Sequence, residues 1–298
     1  EIAAKVPLRG TDLLLIDGGD GVAERAGKLL SAAGWQRIAI VTGGIPAWEA
    51  AGLPLFKGVH TFSKAFGEWV QEHFQTPEIT PAELHTRLAS PSPPLLIDGR
   101  PFAEHHAFTL PGAVNCPNAD LAQYLPGDLP PEREVVVHCA GRTRSIIGAQ
   151  TLRDFGLPHA VYALRDGTQG WELAGHSREI GAARPIAGAT PPAAPQAARE
   201  RALQVMAREG IGTVTQATLL RWLREGRQTV YRFDVGDDTD PPPGFARVDG
   251  TTLIQQTDQY VAVRGARVVL HDPVLVRAVF AALWLCRMGI AAFVLEHS

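Results

Sequence analysis

Cysteine is scarce. The 298-residue chain holds three, Cys116, Cys139 and Cys286, too few and too scattered for a disulfide framework or a thiolate zinc site. A reducing setting is therefore expected. Metal ligands are equally thin. Glu104, His105 and His106 cluster, but no further ligand follows at a suitable spacing, so they read as solvated surface and no metal is expected. Charge of one sign is not in excess: 28 Lys and Arg stand against 31 Asp and Glu, a net charge of −3. That lacks the basic face of a general nucleic-acid binder. Long apolar runs are missing too. The richest stretch, Val274 to Leu285, is broken by Arg277, well short of the ~18 residues a membrane span needs. No secretory leader is visible. The chain opens on Glu1 rather than Met, which reads as an excised piece of a cytoplasmic protein, with a lost targeting segment left open. At 45% hydrophobic and 20% charged, the chain can bury a core, and its length suits roughly two or three domains.

The chain repeats itself. Leu13-Leu14-Leu15-Ile16-Asp17, Val135-Val136-Val137-His138-Cys139 and Val268-Val269-Leu270-His271-Asp272 each open a strand, loop and helix pattern. Each helix ends at a glycine, Gly34, Gly156 or Gly289, 17 positions after Asp17, Cys139 or Asp272. Another apolar run follows each glycine: Ile38 to Val41, Ala160 to Leu164, and Ala292 to Leu295. Strand, helix, glycine stop and strand make a crossover unit with parallel strands. Gly44, Trp48, Glu49, Ala51 and Gly52 recur as Gly167, Trp171, Glu172, Ala174 and Gly175, and both tryptophans read as packing anchors. Upstream, Thr80, Leu84 and Leu88 recur as Thr215, Leu219 and Leu223, a helix signature behind a threonine cap. The expected layout is a partial unit over 1–56, a connecting helix over 57–77 and a complete unit over 78–181. An Ala/Pro-rich spacer over 182–200 and a third unit over 201–298 without its C-terminal end complete it. The first and last units are expected to expose a sheet edge.

The chemistry concentrates in Cys139-Ala140-Gly141-Arg142-Thr143-Arg144-Ser145. The cysteine ends a buried strand, and a helix begins near Ser145. A free thiol titrates at about 8.5, so little is thiolate at neutral pH. A helix N-terminus and two guanidinium groups favour the anion. Successive loop amides can form an anion nest, with Gly141 permitting close approach. A thiolate there suits attack on an anionic electrophile, with Arg142 or Arg144 holding donor oxyanions.

Taken with Leu96-Ile97-Asp98-Gly99-Arg100, Pro111-Gly112-Ala113-Val114-Asn115 and Gly167-x-x-x-Trp171-x-x-Ala174-Gly175, this loop resembles a rhodanese domain. The three-fold repeat resembles a multi-domain, tandem rhodanese of the thiosulfate sulfurtransferase kind. The resemblance implies an α/β fold of tandem units, each a central parallel sheet flanked by helices. It implies a persulfide on Cys139, no separate cofactor, a small anionic donor such as thiosulfate, and a thiol or cyanide acceptor. Ala140 to Ser145 would bind substrate. Related phosphatases use a loop one residue longer, and Cys139 to Arg144 spans six residues. A phosphatase or arsenate reductase and a non-catalytic binding module are the alternatives. The pattern departs at Phe108-Thr109, where the family has Gly-His, and at Gly236, where the middle unit has Arg100. Asp17 and Asp272 stand at the nucleophile position. A carboxylate cannot carry sulfane sulfur but caps a helix well, so these units read as inactive. Asp98 with Arg100 reads as a structural ion pair. His138 reads as a structural histidine, and Cys116 and Cys286 as core. Homo-oligomerisation is left open.

Overall fold

The computed structural model describes residues 2–124, 129–186, 195–236 and 240–296. The N-terminal part contains α1 (Ile2–Lys5), β1 (Leu13–Leu15), α2 (Val22–Ala32), β2 (Ile38–Ile40) and α3 (Gly44–Ala50), followed by α4 (Thr61–Phe74). The middle unit runs β3 (Glu78–Ile79), α5 (Pro81–Leu88), β4 (Leu95–Asp98), α6 (Phe102–Ala107) and β5 (Val114–Asn115). It continues through β6 (Val135–His138), α7 (Thr143–Asp154), β7 (Val161–Leu164) and α8 (Gly167–Leu173). The last unit starts with α9 (Pro195–Glu209), β8 (Gly212–Val214), α10 (Gln216–Glu225), β9 (Val230–Asp234) and β10 (Ala246–Arg247). It ends with α11 (Gly250–Gln255), α12 (Thr257–Tyr260), β11 (Arg267–His271), α13 (Val276–Arg287) and β12 (Ala291–Leu295).

Two five-stranded sheets share one topology. Their orders are β5-β4-β6-β7-β3 and β10-β9-β11-β12-β8, with every pairing parallel. Local sequence explains the elements. Thr80 accepts the Glu83 amide at 3.2 Å while Glu83 accepts the Thr80 amide at 2.8 Å, a capping box that starts α5 behind Pro81. Thr215 caps α10 in the same way, at 3.2 Å from the Thr218 amide. Gly34, Gly156 and Gly289 stop their helices at φ 97°, 80° and 80°, a backbone region where a Cβ is penalised. Val135, Val136 and Val137 are fully buried, as expected of a strand covered by helices on both faces.

One boundary differs from the sequence reading. Helix α9 starts at Pro195, inside the segment read as spacer, of which 187–194 lies outside the described residues. Helix α4 packs on α7 as α9 packs on α13. Segment 57–77 therefore supplies the middle unit with the counterpart of α9. The last unit's five-stranded sheet matches that of the middle unit strand for strand. The N-terminal part is a two-stranded parallel sheet, β1 with β2, and it leaves Leu14 and Phe56 66% and 75% exposed.

The last unit is bonded tightly to the middle one. Trp284 on α13 donates to Thr151 Oγ1 at 3.0 Å. Arg277 donates to Asp120 at 2.5 Å, and Arg287 reaches Asp154 at 2.6 Å. Helix α11 approaches so closely that a Cβ on Gly250 would meet that of Ala119 at 2.9 Å. One continuous apolar core spans both sheets.

Candidate active site

Cys139 follows the last residue of β6, and the loop turns directly into α7. The N-terminus of α8 presses against the outer side of this loop. The Thr168 amide and hydroxyl donate to the Cys139 carbonyl at 2.8 and 3.1 Å, and the Gln169 amide donates to the Ala140 carbonyl at 3.0 Å. The peptide bonds are trans, so within each planar unit the N–H points opposite to the C=O. With two carbonyls held by α8, the amides of Ala140 and Gly141 face the other way, into the loop. Among the described residues, the amides of 140–144 meet no protein acceptor. Gly167 makes the contact possible. It has φ +51°, and a Cβ there would lie 2.3 Å from the carbonyl oxygens of both Cys139 and Gly141. Gly141 itself is less crowded, its nearest neighbour being Gln169 Oε1 at 3.7 Å. Within the protein, close packing is therefore required at Gly167.

The repeat reports what this loop does for a side chain at its first position. The Asp17 carboxylate accepts the amides of Gly19 and Ala23, both at 2.9 Å. These bonds hold its carboxyl below the usual range. The Asp272 carboxylate accepts the amides of Val274 at 3.1 Å and Arg277 at 2.7 Å. In both units a side-chain anion fills the amide nest, and the Gly44 contact with the Asp17 carbonyl repeats that of Gly167 with Cys139. In the middle unit the equivalent position is a thiol that accepts from Ser145 Oγ at 3.2 Å. Cys139 is buried, with 2% of the residue exposed.

The loop arginines are engaged. Arg142 Nε donates to both carboxylate oxygens of Glu68 on α4, at 2.7 and 2.9 Å, and its Nη1 lies 2.5 Å from Glu78 on β3. Arg144 grips Glu104 through two bonds of 2.6 and 2.8 Å. Burial alone would loosen the Arg144 proton, but the hydrogen bonds to Glu104 hold it. The sequence reading gave these guanidinium groups to the donor. Here they carry the protein's own carboxylates. Of the other thiols, Cys116 is buried and pushed far up by that burial. Cys286 is exposed near the end of α13, not in the core, with Sγ 3.6 Å from the Ala292 carbonyl.

Beneath the loop lies a buried polar cluster. Asp98 accepts from Arg100 Nε and Nη2 at 2.9 and 2.7 Å, from Thr109 Oγ1 at 2.8 Å, and contacts His105 Nδ1 at 3.2 Å. The Arg100 guanidinium also reaches the Phe108 carbonyl and lies 4.5 Å above the Phe108 ring. Phe108 and Thr109, the departure from the family pattern, therefore serve this cluster. His105, read from sequence as solvated, is fully buried, and Glu104 is bonded to Arg144. One turn of α6 turns His105 onto the strand end, which a run of six residues does not reveal. The last unit rebuilds the cluster with other parts. Asp234 meets His271 at 2.9 Å and, in place of an arginine at position 236, Arg247 from β10 at 2.9 Å. A Cβ at Gly236 would lie 2.7 Å from Pro273 Cδ, which closes that position to a long side chain.

His138 pairs in register with Asp98 and is fully buried, 3.4 Å from Thr109 Oγ1. Burial lowers its pKa from 6.5 to about 4. The unfolded chain therefore binds this proton first, and stability falls as pH drops from 6.5 towards 4, by about 3 kcal/mol from this group. Burial would raise Asp98, but the histidines and Arg100 outweigh it and hold the carboxyl well below its usual range. That contribution is present above the ordinary carboxylate range and is lost in stronger acid. We expect thermal melts at pH 7, 6, 5 and 4 to show the decline, flattened between pH 6.5 and 4 in His138→Gln.

With this geometry in place, the comparisons with known proteins become specific. A family model for the rhodanese-like domain matches residues 80–174. The chain contains a rhodanese-like domain. A crystal structure of thiosulfate sulfurtransferase from Pseudomonas aeruginosa superposes with a TM-score of 0.92 at 38% identity, over 100% of this chain and 57% of that one. An HTH-type transcriptional regulator of Mycobacterium tuberculosis is 37% identical over 89 residues, 29% of this chain and 38% of the regulator. The chain thus spans less than two thirds of either relative. On the C-terminal side of the matched domain, the last unit repeats its strand order. Among the described residues no helix is long and apolar enough to cross a membrane.

Proposed function

We propose that the chain is a thiosulfate sulfurtransferase whose middle unit transfers sulfane sulfur through a persulfide on Cys139. One observation carries the reading: in the two flanking units the loop amides bind a carboxylate at its first position, and only the middle unit has a sulfur at that position, accepting from Ser145 Oγ. The Cys139 thiolate attacks the outer sulfur of the donor. With thiosulfate, the S–S bond breaks and sulfite leaves with the bonding pair. Amides of the loop and the Ser145 hydroxyl stabilise the persulfide. Cyanide or a thiol then attacks the outer sulfur and frees the Cys139 thiolate. No metal or organic cofactor enters this cycle. Asp17 and Asp272 hold their loops closed as internal caps, so the flanking units act as scaffold. The strong likeness to the Pseudomonas aeruginosa enzyme supports the same activity.

The test is sulfur loading. Wild-type protein mixed with thiosulfate should gain the mass of one sulfur atom on Cys139 and form thiocyanate with cyanide. Cys139→Ser should do neither. Hydrolysis of an aryl phosphate without sulfur loading would point to the phosphatase alternative. Thiocyanate formation that survives the substitution would remove Cys139 from the reaction.

A further inference from the structure

A donor such as thiosulfate carries two negative charges into the loop, yet among the described residues every guanidinium there is paired with a carboxylate. Arg142 is held between Glu68 and Glu78, with side chains 56% and 10% exposed. Arg144 is held by Glu104, whose side chain is 43% exposed. Arg100 is locked to Asp98 below them. A dianion must displace a carboxylate from its arginine or enter a loop whose arginines are already paired with carboxylates, and like charges brought together are disfavoured. Glu68 and Glu104 are more exposed than Glu78. Glu68 belongs to α4, outside the matched residues 80–174, so this control is built from an element the loop motif does not include.

We infer that Glu68 and Glu104 determine donor specificity at Cys139, disfavouring a dianionic donor and favouring a neutral or singly charged persulfide, R–S–SH. The inference rests on the persulfide reading above and refines its donor. In the favoured step the Cys139 thiolate attacks the outer sulfur of R–S–SH, forming the new S–S bond. The donor's S–S bond breaks, and RS⁻ leaves with the electron pair. The proton stays on the transferred sulfur or passes to solvent. Glu68 and Glu104 touch the arginines rather than the reacting atoms and are therefore positioning residues.

The experiment measures single-turnover sulfur loading of Cys139 by mass, with thiosulfate and with cysteine persulfide, in wild type, Glu68→Gln and Glu104→Gln. The wild type should load faster from cysteine persulfide at equal concentration. Its loading from thiosulfate should accelerate as salt rises to about 0.2 M, because salt screens the repulsion. Each variant should shift the loading ratio about tenfold towards thiosulfate, mainly through a lower half-saturating concentration. Glu134→Gln, whose carboxylate pairs with Arg87, should not shift it. Thiosulfate loading that slows with salt, together with an unchanged ratio in both variants, would overturn the inference while leaving the persulfide intact. Loading from neither donor would overturn the persulfide reading and this inference with it.

Discussion

Gly167→Ala should cost at least about a hundredfold in sulfur loading of Cys139, because misplacement of a reacting group by about 1 Å has that order of effect. Gly141→Ala, inside the loop motif itself, should leave the protein folded and loaded. The contrast follows from space. A methyl at 167 would lie 2.3 Å from two carbonyl oxygens, whereas one at 141 would meet only the end of the Gln169 side chain, at 3.7 Å. Gly167 also has φ +51°, where an L side chain costs about 1–2 kcal/mol. Relief requires α8 to move off the loop. That lengthens the bonds from Thr168 and Gln169 to the Cys139 and Ala140 carbonyls, each worth about 1 kcal/mol. Once those carbonyls are free to rotate, the amides on the same peptide planes no longer face the sulfur. A paired control separates damage to stability from damage to the nest. Gly44→Ala meets the same crowding in the N-terminal part, 2.5 Å from the Asp17 carbonyl. It should lower the melting temperature with little effect on loading at Cys139. Equal loss of loading in both variants would show that the clamp acts through global stability alone.

This clamp also marks where sequence was legible and where it was not. The strand endings at Asp17, Cys139 and Asp272 and the glycine stops are written locally, because each depends on side chains within one turn or one pleat. Their equal spacing made the repeat visible, and with it the parallel sheets. The loop cysteine was legible for the same reason. The partners of the loop were not. Glu68 lies 74 positions from Arg142 and Glu104 lies 40 from Arg144, and nothing in local spacing records such pairings. Local reading could see the arginines but not these carboxylate partners. His105 failed in a different way. An exposed-looking Glu-His-His run hides that one of its two histidines turns inward to an aspartate on another element. Arg247 shows the converse. The last unit loses the arginine at position 236 but recovers a guanidinium from β10, so a missing motif residue did not mean a missing interaction.

The buried pair beneath the loop supports the second large expectation. Asp98→Ala should destabilise the protein by about 4 kcal/mol, the range observed when one member of a buried pair is removed. Arg100 is fully buried and cannot turn to solvent. After the substitution its charge keeps the Phe108 carbonyl and loses its carboxylate, while His105 and Thr109 lose a shared acceptor. Most of that cost is the stranded charge rather than the worth of the pair, so the double variant Asp98→Ala/Arg100→Leu should recover part of it. The equivalent change in the last unit, Asp234→Ala, should cost less, because the Arg247 side chain is 35% exposed and can regain water. Urea unfolding of the four proteins, wild type included, measures the order. A double variant no more stable than Asp98→Ala would mean that the hydrogen bonds of the cluster outweigh the isolated charge. The effect should also reach the sulfur. Asp98 pairs in register with His138, the residue before Cys139, so a loosened cluster releases the strand end from which the loop springs. Sulfur loading in Asp98→Ala should therefore fall even at temperatures where the protein remains folded.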